Sequence, residues 1–320
     1  GEGMMTFQET PSFMMGIFAV IQALFLLAIT PLCTGISRQI RAKMHSRQGP
    51  GIWQDYRDIF KLLKRQSVAP EQSGVIFQVM PYVLLGSMLL VAMALPVFTA
   101  TSLFGGAADL IALIYLFALF RFFFSLSGLD SGSPFAGIGA SRELTLGVLV
   151  EPILVLSLIV VALIVGSTNV GTISATLAQG WVSPTATLLA LLACAFAAFI
   201  EMGKMPFDVA EAEQELQEGP LTEYSGSGFA MVKLGIGLKQ VVIAELFLAV
   251  FIPFGKATEF TFVALLVALV LMAVKLLVVF VLASLVENSL ARGRFLLTQH
   301  VTWLGFGVAA LAFVFYLTGL

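Results

Sequence analysis

The chain has 320 residues, 59% of them hydrophobic and 11% charged, with mean hydropathy +0.99 and a formal net charge of −2. A soluble domain carries roughly 25% charged residues, so this composition excludes one, and the weak negative balance offers nucleic acid no basic footprint. The two cysteines, Cys33 and Cys194, sit in apolar context without C-x-x-C spacing, which excludes an iron–sulfur ligand set and suits buried structural thiols.

The opening GEGMMTFQETPSFMMGIF has no basic stretch followed by a small-residue cleavage site, so it reads as a polar leader entering a first span. Apolar runs follow at 13–33, 79–98, 107–127, 144–165, 185–203, 229–252, 261–285 and 301–319. Each is long enough to cross about 30 Å of hydrocarbon. The predicted fold is therefore all-α: one integral membrane domain over 1–320 with about eight transmembrane helices. Lysines and arginines set the orientation. Eight of seventeen (Arg38, Arg41, Lys43, Arg47, Arg57, Lys61, Lys64, Arg65) fall in the first connection, 34–74. Arg121 and Arg142 bracket the third connection, Lys204 and Lys233 the fifth, and Arg292 and Arg294 precede the last span, whereas Lys256 stands alone on the other side. The odd-numbered connections are predicted to be cytoplasmic and both termini periplasmic.

Within the first connection, IWQDYRDIFKLLKR (52–65) places Ile52, Trp53, Tyr56, Ile59, Phe60 and Leu63 on one helical stripe and Asp55, Arg57, Asp58, Lys61, Lys64 and Arg65 elsewhere. This predicts an amphipathic helix in the headgroup plane, entered through the Gly49-Pro50-Gly51 turn. A simple interfacial anchor accounts for it equally well. The third connection, SGLDSGSPFAGIGASRE (127–143), is rich in Gly and Ser and has no clean 3.6 period, which predicts a loop.

Four ionisable residues lie inside apolar runs: Glu151, Lys239, Glu245 and Lys275. Each costs at least about 2.5 kcal/mol if ionised there, so each must face water, pair or lose its charge. Lys239 and Glu245 are six residues apart and point to different helix faces. Lys275 is too deep to snorkel. A structural ion pair, a contact with a neighbouring subunit and a step on a proton path all remain open for these residues.

The densest polar stretch is the acidic segment 201–228, with seven carboxylates of nineteen: Glu201, Asp208, Glu211, Glu213, Glu215, Glu218 and Glu223. If 208–218 is helical, Asp208, Glu211, Glu215 and Glu218 share one face and Glu213 points away. Like charges so spaced near a low-dielectric boundary raise one another's pKa, which suits a row that passes protons. A loop whose acids meet the basic residues of a docked subunit is the alternative, and the two are compatible. His45 and His300 have no partner ligands, so no metal site is expected, and P-loop, dinucleotide, zinc-protease and nucleophile motifs are absent. A redox centre, if one is involved, belongs to another subunit.

The order Glu201, Lys204, Pro206-Phe207-Asp208, Glu211-Ala212-Glu213, Glu215, Glu223-Tyr224-Ser225-Gly226 resembles the acidic loop of one membrane-subunit family. That family is the subunit of respiratory complex I at the junction with the peripheral arm, together with its relatives in membrane-bound [NiFe]-hydrogenases. The resemblance covers nearly the whole chain, from RAKMHSRQGPG and DYRDIFKLL through LFRFFFSLSGLDSGSPFAGIGASRELTLGVLVEP to ENSLARGRFLLTQHVTW. RFFFSLSGLDSGSPF and EAEQELQEGPLTEYSG look like the formate hydrogenlyase and hydrogenase-4 branch. The segment near position 131 and Lys204 depart from the complex I pattern, which sets the chamber lining apart from a quinone site.

The resemblance implies a membrane anchor of a dihydrogen-evolving hydrogenase in the bacterial inner membrane, with no redox centre of its own. Its partners would be the hydrogenase large and small subunits carrying the nickel–iron site, iron–sulfur subunits, a formate dehydrogenase and antiporter-like membrane subunits. It implies a chamber beneath the peripheral arm, framed or docked by Arg38, Arg41, Arg47, Trp53, Asp55, Arg57, Asp58, Lys61, Arg142 and Tyr224. Arg38, Arg41 and Arg47 also offer anionic phospholipid a contact. Glu151 follows Arg142 by nine residues, the same offset as in the complex I subunit. A proton path would run from the acidic loop through Glu151, Lys239, Glu245 and Lys275. The alternative is the quinone-binding subunit of a proton-pumping NADH:quinone oxidoreductase.

Overall fold

A computed structural model of the chain describes residues 12–44, 51–64, 75–99, 109–130, 134–203, 226–257, 261–290 and 295–319. Among the described residues there are ten helices: α1 (Ser12–Met44), α2 (Gln54–Leu63), α3 (Val75–Ala94), α4 (Leu110–Asp130), α5 (Pro134–Val165), α6 (Val170–Ala178), α7 (Pro184–Gly203), α8 (Gly226–Phe251), α9 (Phe262–Leu290) and α10 (Phe295–Leu317). The all-α expectation holds for these residues, whose β contacts are two isolated bridges, Thr99 with Ala257 and Asp109 with Asn169.

Among the described residues four helices are long and apolar enough to cross a membrane, over Phe13–Met44, Pro184–Met202, Ala230–Phe251 and Phe262–Val286. The other four apolar runs are helical as well, over the shorter stretches Gln78–Ala94, Leu110–Phe124, Val150–Val165 and Trp303–Leu317.

The bundle is built around α8. A helix that is apolar on every face has no solvent side and goes to the centre. Every residue of α8 from Gly237 to Phe251 is buried. It packs on α1, α2, α3, α6, α7 and α9. Gly237 permits this at α1, because a Cβ there would sit 2.6 Å from Thr30 Cγ2. α9 takes the periphery, with Val263, Leu266, Val267, Val270, Val274, Val278 and Leu282 exposed in an apolar stripe. With α1 and α10 it supplies the surface expected of a chain solvated by lipid.

The two ends of the bundle differ. At one end α2 lies against α1 and the first half of α8. Gly35 of α1 makes this seat: a Cβ there would meet the Ile52 carbonyl oxygen at 2.2 Å. At the other end α3 and α8 both stop short and are followed by irregular backbone, 95–99 and 252–257, joined where the Ala257 N–H donates to the Phe98 carbonyl at 2.8 Å. The last carbonyls of α3 are capped by the buried Gln22 side chain, which donates to Ala92 O at 2.8 Å and Leu95 O at 2.7 Å. Buried irregular backbone at membrane depth requires such internal partners. The starts of α4 and α6 are tied there too, by Leu110 N–H to Thr168 O at 2.7 Å and by Thr168 Oγ1 to Asp109 Oδ2 at 3.0 Å.

Two sequence expectations need correction, and one helix went unforeseen. The described residues of the 127–143 segment are helical, not a loop: α4 runs to Asp130 and α5 starts at Pro134. Its glycines, serines and alanines write no apolar stripe, yet they do not bar a helix, and proline suits the first helical position. The connection 34–74 begins later than expected, because α1 continues to Met44. The short helix α6, capped by the Asn169 side chain accepting from the Thr172 N–H at 3.1 Å, went unforeseen.

Candidate functional site

Lys233, Lys239 and Glu245 are successive six-residue steps on α8. Each step rises about 9 Å and turns the side chain by about 120° net. The three residues therefore face three different sets of neighbours, and each joins a separate polar cluster.

Lys233 belongs to the α2 end. Its Nζ lies 3.9 Å from Asp55 Oδ1 and 3.8 Å from Asp58 Oδ2. Asp55 is 1% exposed, forms a direct salt bridge with Arg38, and accepts a hydrogen bond from Thr34 Oγ1. The expected position of Asp55 on the polar side of the amphipathic helix is thus corrected. Asp55 and Ile59, one turn apart, are the buried residues of α2, and they face the bundle. Trp53, Phe60 and Leu63 are exposed. Burying a carboxylate is repaid only by close opposite charge and hydrogen bonds, and two cations and a hydroxyl supply them. Arg38, 3% exposed and paired with Asp55, is not available to anionic lipid, which corrects that expectation. Asp58 also accepts from Gln54 Nε2 at 2.9 Å. Tyr56 donates to the Ala28 carbonyl, and burial pushes its phenol above the usual range. Arg57 and Lys61 are exposed and stay apart from this cluster.

Lys239 holds the middle. Its Nζ stands 3.7 Å from Glu151 Oε1 on α5 and 3.5 Å from Glu201 Oε1 on α7. It lies 5.0 Å over the Phe120 ring, a cation–π contact. Glu151 is paired in turn with Arg121 of α4. The order Arg121, Glu151, Lys239, Glu201 alternates in sign and sums to zero, which makes four charges tolerable at this depth. These residues edge a cavity of ≈ 390 Å³ between α4, α5, α7 and α8, otherwise walled by apolar side chains such as Leu113, Phe117 and Leu158. That volume is in the range of small-molecule pockets.

Glu245 is in the third cluster. It is 2% exposed and faces Lys256, in the connection after α8, and Lys275 of α9 across a small cavity. Lys275 Nζ donates to the Ile252 carbonyl at 3.0 Å and to that of Phe254. A deep lysine thus places its charge on the negative end of α8 instead of snorkelling. The expectation that Lys239 and Glu245 face apart holds.

Of the residues expected on a proton path, Glu151, Glu201 and Lys239 come together, and Glu245 and Lys275 form a separate group. Asp208, Glu211, Glu213, Glu215, Glu218, Glu223 and Tyr224 lie outside the described residues, as do Arg47 and the side chains of Arg41 and Arg142. No group of three or more potential ligands for a metal occurs among the described residues. Sequence reasoning missed Arg121 and Lys256, which it read only as orientation markers. Their isolation among apolar residues was the available signal, since a lone charge there must find a partner.

A family model described as NADH dehydrogenase matches residues 16–318. The chain is 70% identical over 304 residues to hydrogenase-4 component C of Escherichia coli (strain K12), covering 95% of this chain and 96% of that protein. It is 57% identical over 299 residues to formate hydrogenlyase subunit 4 of the same organism, covering 93% and 97% respectively. Its fold matches a chain in the structure of the membrane-bound sulfane sulfur reductase, an archaeal respiratory membrane complex, with TM-score 0.76 at 24% identity, covering 95% of this chain and 98% of that one. With a family match running nearly end to end, the chain belongs to the NADH dehydrogenase family.

Proposed function

We propose that this chain is the membrane subunit of a dihydrogen-evolving [NiFe]-hydrogenase complex of the hydrogenase-4 and formate hydrogenlyase kind, seated in the bacterial inner membrane. It holds a peripheral redox arm at its α2 end and couples that arm to proton or ion movement. The observation that carries the reading is the 70% identity to hydrogenase-4 component C across 95% of the chain. The nickel–iron site and iron–sulfur clusters then belong to the hydrogenase and iron–sulfur partners, with formate dehydrogenase as electron donor and antiporter-like subunits beside the bundle. In this reading the eight apolar helices are eight spans, with both termini periplasmic and the acidic segment cytoplasmic.

The clusters along α8 support the coupling half of the proposal. Lys239 stands between Glu151 and Glu201, so its ammonium can lean toward either carboxylate. A change of protonation in the acidic segment beside Glu201 biases that choice. Redox turnover in the arm is the source of such a change.

The test uses the complex extracted through a tag on this chain and assayed for nickel, viologen-linked hydrogenase activity and quinone reduction. Nickel with hydrogenase activity supports the reading; quinone turnover without nickel overturns it in favour of the NADH:quinone oxidoreductase alternative. For coupling, Glu215→Gln and Glu218→Gln should abolish ion translocation in vesicles while viologen-linked activity stays near the parent value. Collapse of assembly in both variants would assign these carboxylates to docking instead.

A further inference from the structure

The third cluster has a feature that ion pairing does not explain. Glu245 is 2% exposed and its Oε1 has no hydrogen-bond partner. A buried carboxylate oxygen left so is strongly disfavoured. Two lysines line the same cavity, yet neither forms an ion pair with Glu245 within 4.0 Å, because each is held by a neutral acceptor. Lys275 is fixed on the Ile252 and Phe254 carbonyls, and Lys256 Nζ donates to Ser174 Oγ of α6 at 2.7 Å. The cavity of ≈ 10 Å³ between them has room for about one water molecule. Its backbone wall is the irregular segment after α8, and non-helical backbone at membrane depth belongs where protein or a water-lined space covers it.

We propose that Glu245, Lys256 and Lys275 form a water-mediated proton-exchange site at the end of the bundle opposite α2. In the step, the Lys256 ammonium gives a proton to the water and the water passes one to the Glu245 carboxylate, leaving an amine and a carboxylic acid. The reverse transfer restores the ammonium and the carboxylate, and no other reactant is needed. Lys275 keeps its proton on the Ile252 and Phe254 carbonyls throughout. Lys256 is half-buried and reaches the outer end, so it exchanges protons with bulk water there. Burial brings its amine down to about 7, against the opposing pull of Glu245 and with a smaller contribution from Lys275. Glu245, Lys256 and Lys275 are the ionisable groups among the described residues that line the cavity. The inference rests on the coupling reading above and adds a second proton-handling position to it.

The test is infrared difference spectroscopy of the purified intact complex between pH 5 and 9, with assembly verified by co-purification of the partner subunits. A protonated-carboxyl band that titrates in this window is expected in the parent complex. It should vanish in Glu245→Gln, and its midpoint should move by about one pH unit in Lys256→Met. If Glu245→Gln does not assemble, Lys256→Met carries the test alone, because the band persists there and must move. A band unchanged in Glu245→Gln, or a midpoint unmoved in Lys256→Met, overturns the site. Failure of the coupling reading is separable: vesicles that evolve dihydrogen without building an ion gradient overturn coupling, while the band still reports on Glu245.

Discussion

Lys239 and Glu201 meet across the α7–α8 interface with 3.5 Å between Nζ and Oε1, and both side chains are almost entirely withdrawn from solvent. Such a pair resists the loss of one member more than the loss of both, since a single deletion strands a buried charge. Lys239→Met also takes one of two cations from Glu151, which keeps Arg121, and should cost about 3–5 kcal/mol. The expected outcome is a sharply reduced yield of assembled complex and a lower unfolding temperature. Adding Glu201→Gln to Lys239→Met should recover part of the loss, and a double-mutant cycle on the unfolding temperature measures how much.

Asp55 anchors α2 by a buried charge. Asp55→Asn removes the carboxylate charge that faces Arg38 and one of the two that face Lys233, and again about 3–5 kcal/mol is at stake. The consequence should be local, because Asp55 and Ile59 are the buried residues by which α2 faces the bundle. A cysteine at Ile59, buried in the parent at 7% exposure, should react with a maleimide about tenfold faster in the Asp55→Asn background. An unchanged rate would mean that packing alone holds the helix.

Gly35 provides a steric route to the same end. A Cβ there would lie 2.2 Å from the Ile52 carbonyl oxygen, and a backbone atom cannot rotate out of the way. Gly35→Val should therefore lift α2 with every charged residue intact. The same Ile59 labelling assay should report exposure as large as that of Asp55→Asn, whereas Gly16→Val, with nothing within 4 Å of its Cβ, should leave the rate unaltered.

Lys256 ties stability to pH. Its amine lies at about 7 in the folded chain, mainly through burial, against 10.5 when unfolded. Between these values the unfolded chain binds more protons than the folded one, so stability rises with pH. Below about 7 both states are protonated, the full cost is present and the slope vanishes. The unfolding temperature of the detergent-solubilised complex should climb from pH 7 to pH 9 more steeply in the parent than in Lys256→Met. Equal slopes would show that Lys256 keeps its proton throughout.

The helices were legible because lipid asks for long apolar runs and a buried helix of this kind leaves no ambiguity of period. Lys239 and Glu245 were separable for the same reason: six residues on a helix are never one face. What stayed hidden was partnership. Asp55 was sorted by polarity, but Arg38 and Lys233 come from other helices, and nothing in IWQDYRDIFKLLKR announces them. Lys256 takes its acceptor from Ser174, 82 residues earlier, through a short helix that no apolar run betrayed. The 127–143 segment was misread because small residues conceal a helix from any search for stripes.

α8 enters all three clusters with one side chain each and is enclosed along its second half. It is keyed like a shaft in a lock. Sliding it by a single residue means about 1.5 Å of travel and about 100° of turn. That movement takes Lys233 from Asp58, Lys239 from Glu201 and Glu245 from its cavity together. No one cluster can be unfastened by moving this helix alone, so any axial displacement is registered at both ends of the bundle or at neither.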